Sequence, residues 1–205
     1  MPGIPSGASA NRDEVVSGAA SRRAVFLDRD GVLNRAFVRD GKPYPPGSLA
    51  EVEILSGVTE ALEALRAAGF ANVIATNQPD VASGKQRREV VEAINRYLSD
   101  RLAIDTVKVC YHADADNCAC RKPKPGMLFE AAEEMGINLS GSYLVGDRWR
   151  DVEAGHAVGC RVLFVDYGYR ERKPEKPYLS VKSLPEAVRI ILRSTQKSPQ
   201  GRRLS

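Results

Sequence analysis

The sequence predicts an α/β fold with a central parallel sheet and helices on both faces. Three observations carry that expectation: five short apolar runs recur along the chain, helix-period segments alternate with them, and chemistry-bearing polar residues cluster just after the apolar runs. Runs that stay apolar throughout and are rich in β-branched and aromatic residues suit strands buried on both faces. Strands that alternate with helices imply parallel crossovers and a layered sheet.

In chain order, strands are expected at 24–27 (AVFL), 70–75 (FANVIA), 107–111 (VKVCY), 142–145 (SYLV) and 161–165 (RVLFV). Helices are expected at 59–68, 87–101, 126–135 and 151–158. In the first of them Ala61, Leu62 and Leu65 fall on one face, and Gly69 supplies a C-terminal stop. The stretch 35–49 carries three prolines and two glycines and is expected to be a loop, as is 170–179.

The 205 residues suit one domain, and 43% hydrophobic with 27% charged composition is enough for a sizeable core. The expected division is a disordered extension at 1–21, one globular domain at 22–194 and a disordered basic tail at 195–205. No run approaches the ~18 apolar residues of a membrane span. The first twenty residues show neither the basic region nor the apolar stretch of a secretory signal, so a cytoplasmic location is expected. The net charge of +4 equals the contribution of Arg193, Lys197, Arg202 and Arg203, so the rest of the chain is neutral. A neutral body argues against a nucleic-acid partner. The expected partner is a small molecule, bound by a monomer with no membrane attachment.

In an open parallel sheet, ligands bind beyond the carboxyl ends of the strands. Asp28-Arg29-Asp30-Gly31 follows the first apolar run and Thr76-Asn77 the second; Arg121-Lys122 comes after the third, and Gly146-Asp147 after the fourth, with Asp151 four residues on. Carboxylates suit a hard cation such as Mg²⁺, whereas a hydroxyl, an amide and a lysine suit an anion. Together they describe a site for metal and phosphate. A carboxylate can attack phosphorus and split one hard hydrolysis into two easier steps, provided cations shield the dianion. Asp28 is expected to be the nucleophile. Asp30 is expected to protonate the leaving oxygen and later to deprotonate water, being protonated at substrate binding through partial burial and nearby anions. Taken alone, DxDG is equally a turn or a calcium loop; the residues at the other strand ends distinguish the readings.

Cys110, His112, Cys118 and Cys120 lie within eleven residues and form a Cys₃His set suited to structural Zn²⁺. Disulfides are disfavoured in a cytosolic chain. Cys160 stands apart and is expected to be a buried thiol. His156 is expected on a helix surface, and Tyr143 and Trp149 in packing or at a rim.

The segments FLDRDGVLN, IATNQ, CRKPKPGM and VGDRWRD resemble the ordered motifs of the haloacid dehalogenase (HAD) superfamily of phosphatases over residues 24–167. Within it the chain is most similar to the heptose bisphosphate and histidinol-phosphate phosphatases. The resemblance implies a HAD-like Rossmannoid three-layer fold and a Mg²⁺-dependent phosphomonoesterase with an aspartyl-phosphate intermediate. The implied substrate is a sugar bisphosphate, with heptose 1,7-bisphosphate first and histidinol phosphate or another phosphosugar as alternatives. A non-catalytic zinc-stabilised module that senses phosphometabolites is the reading from another class.

Carried over by position, Asp28, the Asp30 backbone carbonyl and Asp147 would hold Mg²⁺, with Asp151 supporting. Thr76 and Asn77 would hold phosphate; Arg121 and Lys122 would neutralise it. Asn34, Gln78 and Arg148 would contact substrate. The zinc ligands implied are the same four. Two departures stand out: Pro79-Asp80 follows TNQ and Ser83 replaces the family's arginine, while the loop after Asn34 is longer and richer in proline. Both segments border the distal part of a substrate. The intervals between motifs leave no room for a large cap domain, so the site is expected to be open, with selectivity set by 35–49 and the zinc loop.

Overall fold

Along the first strand, Ala24 and Phe26 enter one apolar core while Val25 and Leu27 enter another. That two-residue period, buried on both sides, makes the strand a central one and organises three layers. The computed structural model describes residues 22–196, so the expected extension at 1–21 and all but the start of the basic tail lie outside the described residues.

Among the described residues, eight strands and five α-helices run in the order β1 (Arg23–Leu27), β2 (Phe37–Arg39), β3 (Lys42–Tyr44), α1 (Val58–Ala67), β4 (Phe70–Asn77), α2 (Arg88–Arg101), β5 (Thr106–Cys110), α3 (Gly126–Met135), β6 (Tyr143–Gly146), α4 (Trp149–Ala157), β7 (Arg161–Val165), β8 (Leu179–Val181) and α5 (Leu184–Gln196). The main sheet has the order β5-β4-β1-β6-β7-β8, all parallel. One core joins the sheet to α1, α2 and α5 through Leu62, Leu65, Ile94, Leu98, Val188 and Ile191. The other joins it to α3 and α4 through Met127, Leu128 and Val152.

The five expected strands and four helices are present, with ends shifted by at most a few residues. Three features differ. The expected loop at 35–49 contains the antiparallel hairpin β2–β3, with Phe37 opposite Tyr44 and its tip at Asp40 and Gly41, both at positive φ. The sheet gains a sixth strand, β8, which starts on Leu179, the last residue of the loop expected at 170–179. Helix α5 follows it and runs through Gln196, two residues into the expected tail. It forms because Leu184, Ala187, Val188 and Ile191 make a helical stripe, at most 3% exposed, against α1 and the sheet.

The chain leaves β1 toward β4 on one side and leaves β6 toward β7 on the other. Between β1 and β6 the direction of winding therefore reverses, which opens a crevice at their carboxyl ends. The register pairs Leu27 with both Ile74 and Val145, so Asp28 and Asp147 emerge together at that crevice. No separate cap domain lies among the described residues, and no helix among them is long and apolar enough to cross a membrane.

Candidate active site

The floor of the crevice is a buried cluster of charge. Asp28 continues the ladder of β1, its N–H bonded to Val145 O at 2.9 Å. The chain then turns sharply at Gly31, where φ is +90° and an added Cβ would stand 2.0 Å from Asp147 Oδ2. Glycine is needed there for both the conformation and the close approach. Asp147 follows β6, and Asp151 caps α4 by accepting from the Arg148 N–H at 3.0 Å. Lys122 donates to Asp28 Oδ1 at 2.8 Å, Asp151 Oδ1 at 2.5 Å and Ala75 O at 2.6 Å.

Asp28, Asp147 and Asp151 each offer an oxygen within 4.8 Å of the others, and all three are buried. One lysine does not balance three carboxylates. Burial pushes the Asp28 carboxyl up to about 6; Lys122 opposes the shift, while Asp151 and Asp30 add to it. Burial, with the charges of Asp28 and Asp151, also drives Asp147 well above the usual carboxylate range. Burial works against the Lys122 cation, yet Asp151 and Asp28 hold it above its usual value. Asp147 Oδ1 is buried and has no hydrogen-bond partner. Excess negative charge and an orphaned oxygen acceptor in a group of carboxylates fit a small divalent cation.

Asp30 lies beside this cluster in a different setting. The sequence suggested nearby anions, and Asp28 lies close enough to interact with its charge, but the groups that touch its carboxylate are donors. Arg29 donates at 2.9–3.2 Å, Asn34 Nδ2 at 2.9 Å and Gln78 Nε2 at 2.8 Å. Arg29 is fully buried and also reaches Asn95 Oδ1 at 2.8 Å. Asn34 and Gln78, expected to touch substrate, instead turn inward and position Asp30. Thr76 is 1% exposed, and its Oγ1 accepts from Gln78 at 2.9 Å. Asn77 faces the cavity and forms a reciprocal pair with the Lys122 backbone, both bonds 3.0 Å, which fixes the lysine loop to the end of β4.

Above the floor is a cavity of about 250 Å³. Its rim includes Arg121, Arg148 and Arg150 together with Lys42 and Tyr44 from the hairpin. Arg121 and Arg150 share Asp114 at 2.8 and 3.0 Å, and Arg148 pairs with Glu171. The hairpin is tied to the loop after β7 through Arg170 N–H donating to Gly41 O at 2.7 Å. Sequence reasoning passed over Arg29, Arg150, Asp114, Tyr169 and Glu171. Arg29 had a visible signal, a cation between two aspartates; the others come from segments whose approach no spacing foretells.

In the cysteine loop, Cys110, Cys118 and Cys120 sulfurs and His112 Nδ1 form one group, with contacts from 3.1 to 3.6 Å. These sulfurs are too far apart for the ~2.05 Å disulfide bond. A tetrahedral zinc with ~2.3 Å bonds would set its sulfurs roughly 3.8 Å apart, close to this arrangement. The group could hold a metal ion. Its loop also carries Asp114 to the cavity rim. Cys160 lies outside it as a buried thiol pushed up to about 12 by burial.

A HAD-hydrolase-like family model matches residues 119–187. The D-glycero-β-D-manno-heptose-1,7-bisphosphate 7-phosphatase of Pseudomonas aeruginosa is 37% identical over 83% of this chain and 93% of that protein. The enzyme of the same name from Escherichia coli K12 is 32% identical over 83% of this chain and 96% of its own. Among solved structures, the D,D-heptose 1,7-bisphosphate phosphatase of B. bronchiseptica, complexed with magnesium and phosphate, aligns with a TM-score of 0.72 at 30% identity, covering 84% of this chain and 99% of that one. Sequence and fold agree, and the chain belongs to the haloacid dehalogenase superfamily of phosphatases, as a phosphoric monoester hydrolase.

Proposed function

We propose that this phosphatase hydrolyses a sugar bisphosphate, with D-glycero-β-D-manno-heptose 1,7-bisphosphate as substrate and the 7-phosphate as the group removed. The observation that carries the reading is the floor: three buried carboxylates, one lysine and an unpartnered Asp147 oxygen beneath a cavity rimmed with arginines. The names of the relatives supply the sugar. Bound Mg²⁺, held by Asp28, Asp147 and the Asp30 carbonyl with Asp151 beside it, would supply positive charge against the phosphate oxygens.

Lys122 holds Asp28 Oδ1 and leaves Oδ2 to form a bond to phosphorus as the bond to the sugar oxygen breaks. Asp30, fixed by Arg29, Asn34 and Gln78, gives its proton to that sugar oxygen. In the second step Asp30 takes a proton from water, whose oxygen bonds phosphorus and releases the Asp28 carboxylate. Thr76, Asn77 and Lys122 stabilise the transferred group, and Arg121 and Arg148 orient the rest of the molecule. The reaction fits a cytoplasmic monomer acting on a diffusible metabolite. Phosphate release from both heptose bisphosphate anomers, histidinol phosphate and common sugar phosphates tests the assignment; faster turnover of histidinol phosphate would overturn the substrate.

The cysteine loop is assigned a structural Zn²⁺ held by Cys110, His112, Cys118 and Cys120. It pins Asp114 at the rim and takes no part at phosphorus. Metal analysis should return one zinc per chain, and Cys118→Ser should lose it with a lower melting temperature. A zinc-free protein with unchanged melting would overturn the site.

A further inference from the structure

The loop that follows β7 sends three side chains and one backbone N–H to four different parts of the site. Tyr167 Oη donates to Gly31 O at 3.0 Å, on the turn after the first aspartates. Tyr169 Oη donates to Asp147 Oδ2 at 3.0 Å. Arg170 N–H holds the hairpin at Gly41, and Glu171 holds Arg148. The two tyrosine rings stack, with centroids 5.5 Å apart and planes 28° from parallel, so they brace each other.

From this arrangement we infer that Tyr169 is a positioning residue for the cation site, one that fixes which oxygen of Asp147 faces the ion. The inference rests on the magnesium reading given above. The two oxygens of a carboxylate are chemically equivalent, and rotation about the last side-chain bond exchanges them. At Asp147 they are made unequal: Oδ2 is engaged by the Tyr169 hydroxyl and pressed against Gly31, while Oδ1 is buried without a partner. The hydroxyl also places a donor on a carboxylate crowded by Asp28 and Asp151. Without it, Asp147 would turn between orientations, and only some would present an oxygen to the ion. Partners of this kind behind a metal ligand typically change affinity by about 10–100-fold. Tyr167 acts one step further away, through the backbone of the turn at Gly31.

The test is magnesium binding by calorimetry on the full chain, with the metal-free melting temperature measured beside it. Asp147→Asn should abolish binding. Tyr169→Phe keeps the stacked ring and removes only the hydroxyl; it should raise the magnesium Kd about tenfold or more with metal-free melting unchanged. Tyr167→Phe should raise it by a smaller factor. A Kd for Tyr169→Phe within twofold of wild type would overturn the inference. If that variant melts early, the comparison moves to Tyr169→His, which retains a donor: partial recovery of affinity supports the inference, and no recovery overturns it. Wild-type protein that binds no magnesium would overturn the metal reading itself, an outcome distinct from equal binding by wild type and variant.

Discussion

The floor and the rim of the cavity are built on different principles. Asp28, Asp147 and Asp151 on the floor stand at a strand end or at the start of a helix, are nearly inaccessible and are held by named partners, Asp28 and Asp151 by Lys122 and Asp147 by Tyr169. The partly exposed Asp30 beside them is held by Arg29, Asn34 and Gln78. Rim residues come from connections, from the hairpin β2–β3 and from the first turn of α4, and two of the arginines are paired there, Arg148 with Glu171 and Arg150 with Asp114. A reaction needs atoms held to a fraction of an ångström, whereas recognition of a sugar can be changed by replacing loops. Pro79, Asp80 and the hairpin residues Lys42 to Pro45 line the cavity around the floor rather than forming the buried ion pairs within it.

The sharpest way to break this division is Asp28→Asn. Turnover should fall at least about 10³-fold on every phosphate ester, because the proposed nucleophile is lost regardless of the leaving group. Activity kept on any substrate would mean that the floor is not where the bond is broken. Lys122→Met probes the electrostatics of the same layer. It leaves Asp28 and Asp151 facing each other without a cation and should cost about 3–5 kcal/mol, read as a lower denaturation midpoint in chelator. Melting equal to wild type would show that the carboxylates need no counter-charge.

A smaller effect concerns pH. Asp28 has its carboxyl raised from 3.8 to about 6 in the folded chain, so the folded state holds the proton more tightly than the unfolded one. The stability this contributes is present below about pH 4 and is lost as pH rises through about 6. Chelated wild type should therefore lose melting temperature relative to chelated Asp28→Asn across that window; parallel curves would contradict it. At the rim, Arg150→Ala and Lys42→Ala should raise KM for a bisphosphate by roughly 3–10-fold with kcat retained, the signature of lost uniform binding. A fall in kcat instead would erase the distinction between the two layers.

Much of the fold was legible before the coordinates. The five apolar runs and four helical stretches appear where expected because strands buried on both faces, and helices with one apolar stripe, leave local patterns. Helix α5 was legible too, in the spacing of Leu184, Ala187, Val188 and Ile191, although no helix was expected there. The hairpin β2–β3 was hidden by prolines that read as loop, since Pro43 is the middle residue of the three-residue strand β3 and Pro45 follows it directly, and the pairing depends on the tip at Asp40 and Gly41. Among site residues, Asp28, Lys122, Asp147 and Asp151 meet as their strand-end positions implied. Asn34 and Gln78 were expected to face substrate because motif position names a residue without saying which way it points.

By itself, the sequence determined the layered α/β architecture, which polar residues follow each apolar run and the grouping of Cys110, His112, Cys118 and Cys120, because each follows from spacing along one stretch of chain. The tertiary structure alone decided that Tyr169 meets Asp147, that Arg29 is buried against Asp30 and Asn95, and that the hairpin touches the loop after β7. Those contacts depend on how parallel crossovers bring distant connections over one crevice, and no local period records that.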